Sequence, residues 1–137
     1  MTGNEEKKNY LKSYKALCDK LKSLEDQLQS LRELEQSAKI QKLSDMPKGT
    51  KQMDLSDYIV KIEVVYTKIV RLRSECIERK LEIENRIADM EDGIEADILR
   101  KRYLEFKPWE QICVEIGYSW MQTHRLHSKA LSNFKLN

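Results

Sequence analysis

Between Asn4 and Leu43, apolar side chains recur at Tyr10, Tyr14, Leu17, Leu21, Leu24, Leu28 and Leu31, in steps of four and three. That is the 3.5-residue period of a coiled-coil seam, and Lys, Glu, Asp and Gln fill the other faces. Glu35 and Ala38 take the next seam positions, so the stripe thins towards its end. A helix of about 40 residues is roughly 60 Å long, and so narrow a stripe requires a partner. The stretch from Ser44 to Asp54 carries Pro47 and Gly49 among polar residues and reads as a loop. Asp54 suits a helix cap, with Asp57 in the first turn. A heptad repeat follows at Leu55, Ile62, Ile69, Cys76, Ile83 and Met90. Ile59, Tyr66 and Ile87 are its companions, and Arg73 and Lys80 interrupt them. The pattern predicts a second long helix to about Glu91, which either folds back antiparallel on the first or leaves both stripes open to a second chain, and the two arrangements are compatible.

Gly93 is expected to break or bend that helix. Ile94 to Leu104 then opens a C-terminal domain in which Ile98, Leu99, Tyr103 and Phe106 pack under Ile112, Ile116 and Leu131. The expected fold is all-α: a long antiparallel helical hairpin over residues 1–92, for assembly, followed by a helix-turn-helix domain over residues 93–137.

The segment from Pro108 to Leu131 carries the helix-turn-helix signal. Ile112, Ile116, Tyr118 and Leu126 are apolar where two short helices and their turn bury side chains against each other, and Cys113 is small where they cross. Gly117 sits at the turn, where a left-handed backbone suits a residue without Cβ. Pro108 fits the first position of a helix, and Ser119 fits the N-cap of the next. At 100° per residue from Trp120, one stripe collects Thr123, Leu126, His127, Ala130 and Phe134 for burial. The opposite face presents Met121, Gln122, Arg125, Ser128 and Lys129. Arg can bond two acceptors of guanine, Gln can do the same for adenine, and Lys and Ser suit phosphate oxygens. Trp120, at the edge of the buried stripe, suits either the core or a groove. His124 and His127 stand three apart with no carboxylate nearby on their helix, so no metal site is expected, and His127 reads as a packed histidine.

Composition changes this picture in three ways. Charged residues make up 35% of the 137-residue chain, against an ordinary level of about 25%, which favours long exposed helices over a thick globule. The net charge is only +2, but no acidic residue follows Glu115. Arg125, Lys129 and Lys135 therefore make a locally positive end, with the run at Arg100, Lys101 and Arg102 as a second basic cluster. Cys18, Cys76 and Cys113 are odd in number and far apart, which argues against a disulfide framework and for a reducing cytoplasm. No apolar run approaches the roughly 20 residues of a membrane span, no signal-peptide pattern opens the chain, and a membrane partner is not expected. No Gly-rich phosphate loop and no Ser–His–acid set is present, so neither an enzyme nor a cofactor is expected.

The stretch from Asp97 to Leu131, with DILRKRY, PWEQI, GYS and KAL, resembles region 4 of bacterial sigma factors, the helix-turn-helix that reads the −35 promoter element. With the N-terminal helices included, the chain resembles small phage-encoded regulators such as the ArpU and RinA late-gene activators. Thr123 departs from the Val or Ile usual at its position, and nothing resembles the other sigma domains. The resemblance implies sequence-specific binding of double-stranded DNA in transcription regulation. Ser119, Trp120, Met121, Gln122, His124, Arg125, Ser128 and Lys129 would lie at the groove, with a homodimer through the N-terminal helices and RNA polymerase as a further partner. Two other readings fit the same elements: a DNA-packaging subunit like small terminases, and a coiled-coil scaffold without DNA binding.

Overall fold

The computed structural model describes residues 3–43 and 54–137, and all their regular structure is helical. Helix α1 spans Gly3–Leu43, α2 Leu55–Ala88, α3 Gly93–Leu99, α4 Trp109–Ile116 and α5 Trp120–Asn133. Between α3 and α4 the helix widens into one π-helical stretch, Arg100–Leu104. The fold is all-α, as expected. The loop expected from Ser44 lies outside the described residues up to position 53. Asp54 caps α2: its carboxylate accepts from the Leu55 N–H at 2.7 Å and the Ser56 hydroxyl at 3.1 Å. Asp57 reaches back to the Asp54 N–H at 3.2 Å, so two otherwise orphaned donors are satisfied.

Helix α2 stops at Ala88, short of Glu91. Asp92 then caps α3, accepting from the backbone N–H groups of Ile94 and Glu95, both at 2.9 Å. Gly93 is thus the first residue of a helix and not the break, and Asp92 caps the new helix.

Packing divides the chain into two compact units, Met1–Cys18 with Glu75–Asn137, and Asp19–Ser74. In the first, the Tyr10 hydroxyl donates to Glu82, Arg79 donates to the Ser13 hydroxyl, and Cys18 lies beside Cys76. Partners descend along α2 as they rise along α1, so the helices run antiparallel. Leu11, Ile83 and Ile87 of that pair join Leu99, Leu131 and Phe134 in one buried cluster. Phe134, one residue past α5, is fully buried, with its ring 6.2 Å from that of Tyr10. Position 92–93 is therefore a change of element, and the core crosses it. All three cysteines are free thiols; burial, with Cys18 alongside, pushes the Cys76 thiol up.

In the second unit, Val65, Ile69 and Leu72 of α2 are buried, whereas Leu21, Leu24, Leu28 and Leu31 of α1 are only half-buried. The α1 stripe falls where the 3.5-residue period puts it, including Glu35 and Ala38. On α2 the heptad positions Ile69, Cys76 and Ile83 are buried, and of their expected companions Ile87 is buried, whereas the other two are not. Val65 and Leu72, three residues on, fill the seam, while Ile59 and Tyr66, four on, are 48% and 51% exposed. Arg73 and Lys80 consequently lie off the seam and interrupt nothing. The seam takes the smaller step at Leu72, where the larger one offers Arg73, and the larger step at Ile87, where the smaller one offers Arg86.

Of the expected C-terminal core, Ile98, Leu99, Tyr103, Ile112 and Leu131 are buried. Phe106 is not: it is 38% exposed, with φ at +58°, and its ring stacks on Tyr14 at 5.6 Å. The left-handed residue ends the π-helical stretch, and the next N–H, of Lys107, returns to the Lys101 carbonyl at 3.0 Å. No helix among the described residues is long and apolar enough to cross a membrane.

Candidate nucleic-acid interface

The turn between α4 and α5 is built by backbone chemistry. Gly117 closes α4 with φ at +74°, and its N–H bonds the Cys113 carbonyl at 3.0 Å, joined by the Tyr118 N–H at 3.2 Å. A Cβ at Gly117 would meet no atom within 4 Å, so glycine serves the left-handed conformation and not a close approach. Pro108 is the N-cap of α4 rather than its first residue, and its carbonyl accepts from Gln111 and Ile112, both at 3.1 Å.

Helix α5 begins with a capping box. The Ser119 hydroxyl accepts from the Gln122 N–H at 3.2 Å, and the Gln122 side-chain oxygen accepts from the Ser119 N–H at 3.4 Å. Both residues are exposed, but their polar groups are engaged in fixing the helix start. Behind it, Thr123, His127, Ala130, Leu131 and Phe134 are buried and Leu126 is half-buried. The outer face carries Met121, Gln122, Arg125, Ser128 and Lys129, all exposed, and Met121 is 71% so.

Trp120 and His124 occupy neither face cleanly. Trp120 is 53% exposed, and its ring lies 4.4 Å from that of His124. His124 in turn lies 4.6 Å from Trp109 of α4, and the Arg102 guanidinium sits 4.8 Å over Trp109. Arg102 also donates to the Lys107 carbonyl at 3.1 Å. The result is a ladder Arg102–Trp109–His124–Trp120 that braces the N-terminal turn of α5 against the preceding helices. His124, expected at the groove, is a half-buried spacer in this ladder. Trp109 is the residue that sequence reading misses, because nothing in periodicity places residue 109 against residue 124, and Arg102, read as part of a basic cluster, has its ring partner there.

His127 is a packed histidine, as expected. Its Nε2 lies 2.7 Å from the Tyr103 hydroxyl, and its ring is edge-on to Trp109 at 4.7 Å. Burial, aided by nearby Lys8, His124 and Arg102, holds it down at about 4. Burial holds Tyr103 up at about 12. The tyrosine therefore keeps its proton, the imidazole is neutral, and a hydrogen bond joins the two.

The second basic cluster is spoken for internally. Arg100 pairs with Asp97 at 3.1 Å, Arg102 lies on Trp109, and Lys101 meets Glu115 at 2.6 Å. Lys107 joins the same carboxylate at 2.7 Å. Hydrogen bonds from Lys101 and Lys107 hold Glu115 down at about 2, and the Glu115 and Glu105 carboxylates raise Lys107. This run stitches α4 to the π-helical stretch. On α5, Arg125 and Lys129 remain the exposed cations, and Lys129 borders a cleft of about 460 Å³ shared with Asp89, Asp92 and Glu95. Among the described residues no group of three His, Cys, Asp or Glu side chains is placed to hold a metal ion.

A family model described as "Protein of unknown function (DUF1492)" matches residues 34–135, and the chain belongs to that family. No curated protein and no solved structure matches it.

Proposed function

We propose that this member of the DUF1492 family is a sequence-specific DNA-binding regulator of transcription, of phage type, that lays α5 in the major groove. The observation that carries this reading is the outer face of α5. It is polar and cationic through Gln122, Arg125, Ser128 and Lys129, opposite a largely buried stripe, on a helix whose first turn is fixed by a capping box and an aromatic ladder. A rigid helix with exposed Arg and Gln near its N-terminus fits what base-edge readout requires. Trp120 and Met121 add apolar surface suited to thymine methyl groups and sugars. Ser119 and Gln122 act first as helix caps, and His124 acts by bracing Trp120. Two chains reading paired half-sites, with RNA polymerase as an effector partner, complete the proposal.

Selection of bound duplexes from a random pool tests it, followed by mobility shifts with the recovered site. Wild type is expected to enrich a palindromic sequence. Arg125→Ala with Lys129→Ala is expected to weaken binding roughly 100-fold, the loss of one base contact and one phosphate contact at about 1–3 kcal/mol for the former. Equal binding by the two proteins, or binding by neither, defeats the reading. A ring of many subunits in solution would instead favour the packaging alternative.

A further inference from the structure

Helix α2 carries two apolar rows where a hairpin needs one. The buried row is the seam through Val65, Ile69, Leu72, Cys76 and Ile83. The other lies roughly 100° round the same helix at 3.6 residues per turn and is open: Ile59 is 48%, Tyr66 51%, Val70 48% and Ile77 59% exposed. Glu63 and Arg73 fall in the two gaps of this row, both exposed. Taken together, Ile59, Glu63, Tyr66, Val70, Arg73 and Ile77 step by four, three, four, three and four, a heptad spacing that reads the same in either direction.

A row that survives reversal is self-complementary about a two-fold axis perpendicular to the helix. We infer that this row is where two copies of the chain meet, α2 against α2, antiparallel, with the axis level with position 68. In that register Ile59 faces Ile77 of the second copy, Tyr66 faces Val70, and Glu63 faces Arg73. Every apolar position meets an apolar one, and the two charged positions meet with opposite sign. Any other antiparallel register of this row breaks at least one of those matches, and a parallel pairing would set Glu63 against Glu63 and Arg73 against Arg73. Arg73 also pairs with Glu25 of its own chain at 3.4 Å, so in this register its guanidinium stands between two carboxylates, one from each copy. The inference gives the two-chain assembly of the proposed function a location, and it stands whether or not α5 binds DNA.

Sedimentation equilibrium of the full chain without DNA, from about 1 to 100 μM, tests it. A dimer with a dissociation constant on the order of 10 μM is expected, since one helix pair makes a small interface. Tyr66→Lys with Val70→Lys sets four ammonium groups around the axis and is expected to weaken it at least 100-fold. Should that variant lose helix content, the charge exchange decides. Glu63→Arg alone and Arg73→Glu alone each weaken association about fivefold, and the two together restore it. Under oxidation, Ile59→Cys chains mixed with Ile77→Cys chains link 59 to 77, identified by peptide mass, whereas Ile59→Cys alone does not link to itself through 59. A chain that is monomeric throughout overturns the inference. So does a dimer indifferent to these changes, or a 59-to-59 link. Arg125→Ala with Lys129→Ala leaves association unchanged, so a failed DNA reading and a failed interface are told apart.

Discussion

The two compact units are made from the same two long helices, yet they are built on different terms. Among the described residues of the Asp19–Ser74 unit, burial follows one seam: three α2 side chains are buried, and their α1 counterparts are half-buried. In the unit formed by Met1–Cys18 and Glu75–Asn137, further helices close over the seam, and polar groups bridge elements. Asn4 donates to Ser132 at 3.2 Å, Lys7 to the Ser132 carbonyl at 3.0 Å, and Arg86 to the Lys135 carbonyl at 3.0 Å. A two-helix seam excludes water along a line, whereas a core fed by several elements excludes it over a volume, and burial free energy follows the area removed. The helix proposed to read DNA belongs to the thicker unit and supplies Ala130 and Leu131 to its core.

The largest expected effect tests that contrast directly. Phe134→Ala removes a fully buried ring from the thicker unit and should cost about 3–5 kcal/mol. Leu28→Ala, at a half-buried seam position, should cost only about 1 kcal/mol. Trp109 and Trp120 both belong to the thicker unit, so their fluorescence in a urea titration reports it alone. The first substitution should move that transition far to lower urea and the second should leave it in place. Equal shifts would show that the units are energetically one.

Acid should then loosen the thicker unit through His127. Its folded value of about 4 lies below the unfolded 6.5. Between those values the unfolded chain binds a proton that the folded one excludes, so stability is complete above about 6.5 and falls as pH drops towards 4. Going from pH 7 to pH 5 should cost on the order of 2 kcal/mol, read as a fall in the urea midpoint by tryptophan fluorescence. His127→Gln should flatten that slope while preserving a partner for the Tyr103 hydroxyl. A slope that persists in the variant would locate the proton elsewhere.

The helices and the inward face of α5 are legible in the sequence because both rest on local periodicity. Gly117 and Ser119 are legible for a similar reason: φ above zero and an orphaned N–H are local demands. Three things are not. The α2 companions mislead because Ile59 and Tyr66 belong to a second row, and periodicity alone cannot say which of two rows a partner covers. Phe106 has the hydrophobicity of a core residue, whereas its backbone conformation turns it out onto Tyr14. The Arg100–Arg102 run has the look of a second phosphate-binding cluster, but Asp97, Trp109 and Glu115 take up its charges. Pairings such as Lys101 with Glu115 or Trp109 with His124, which join residues 14 or more apart, carry no trace in a linear pattern.

A smaller effect separates bracing from contact within the candidate site. Ser119→Ala removes the hydroxyl that accepts the Gln122 N–H and should cost about 1 kcal/mol. Hydrogen exchange should show it as faster exchange confined to the first turn of α5, at Met121, Gln122 and Thr123, with the Phe134 cluster unaffected. Ser119→Asp keeps an acceptor and should restore protection. Loss of protection across the whole thicker unit would instead mean that the turn is part of the global core.

Gly117 and Gly93 allow the finest discrimination, since a methyl group added at either would meet no atom within 4 Å and only their backbones differ. At Gly117, with φ at +74°, alanine brings no clash but must adopt the left-handed region, at about 1 kcal/mol. Gly93 has no such φ and sits in the first turn of α3 behind the Asp92 cap. There alanine lowers the entropy of the unfolded chain without strain and should stabilise by about 0.5 kcal/mol. The two substitutions should therefore move the tryptophan-detected urea midpoint in opposite directions. If both destabilise, something at Gly93 beyond helix propensity is being disturbed, and the reading of residues 89–92 as a turn that Asp92 alone resets into α3 would have to be abandoned.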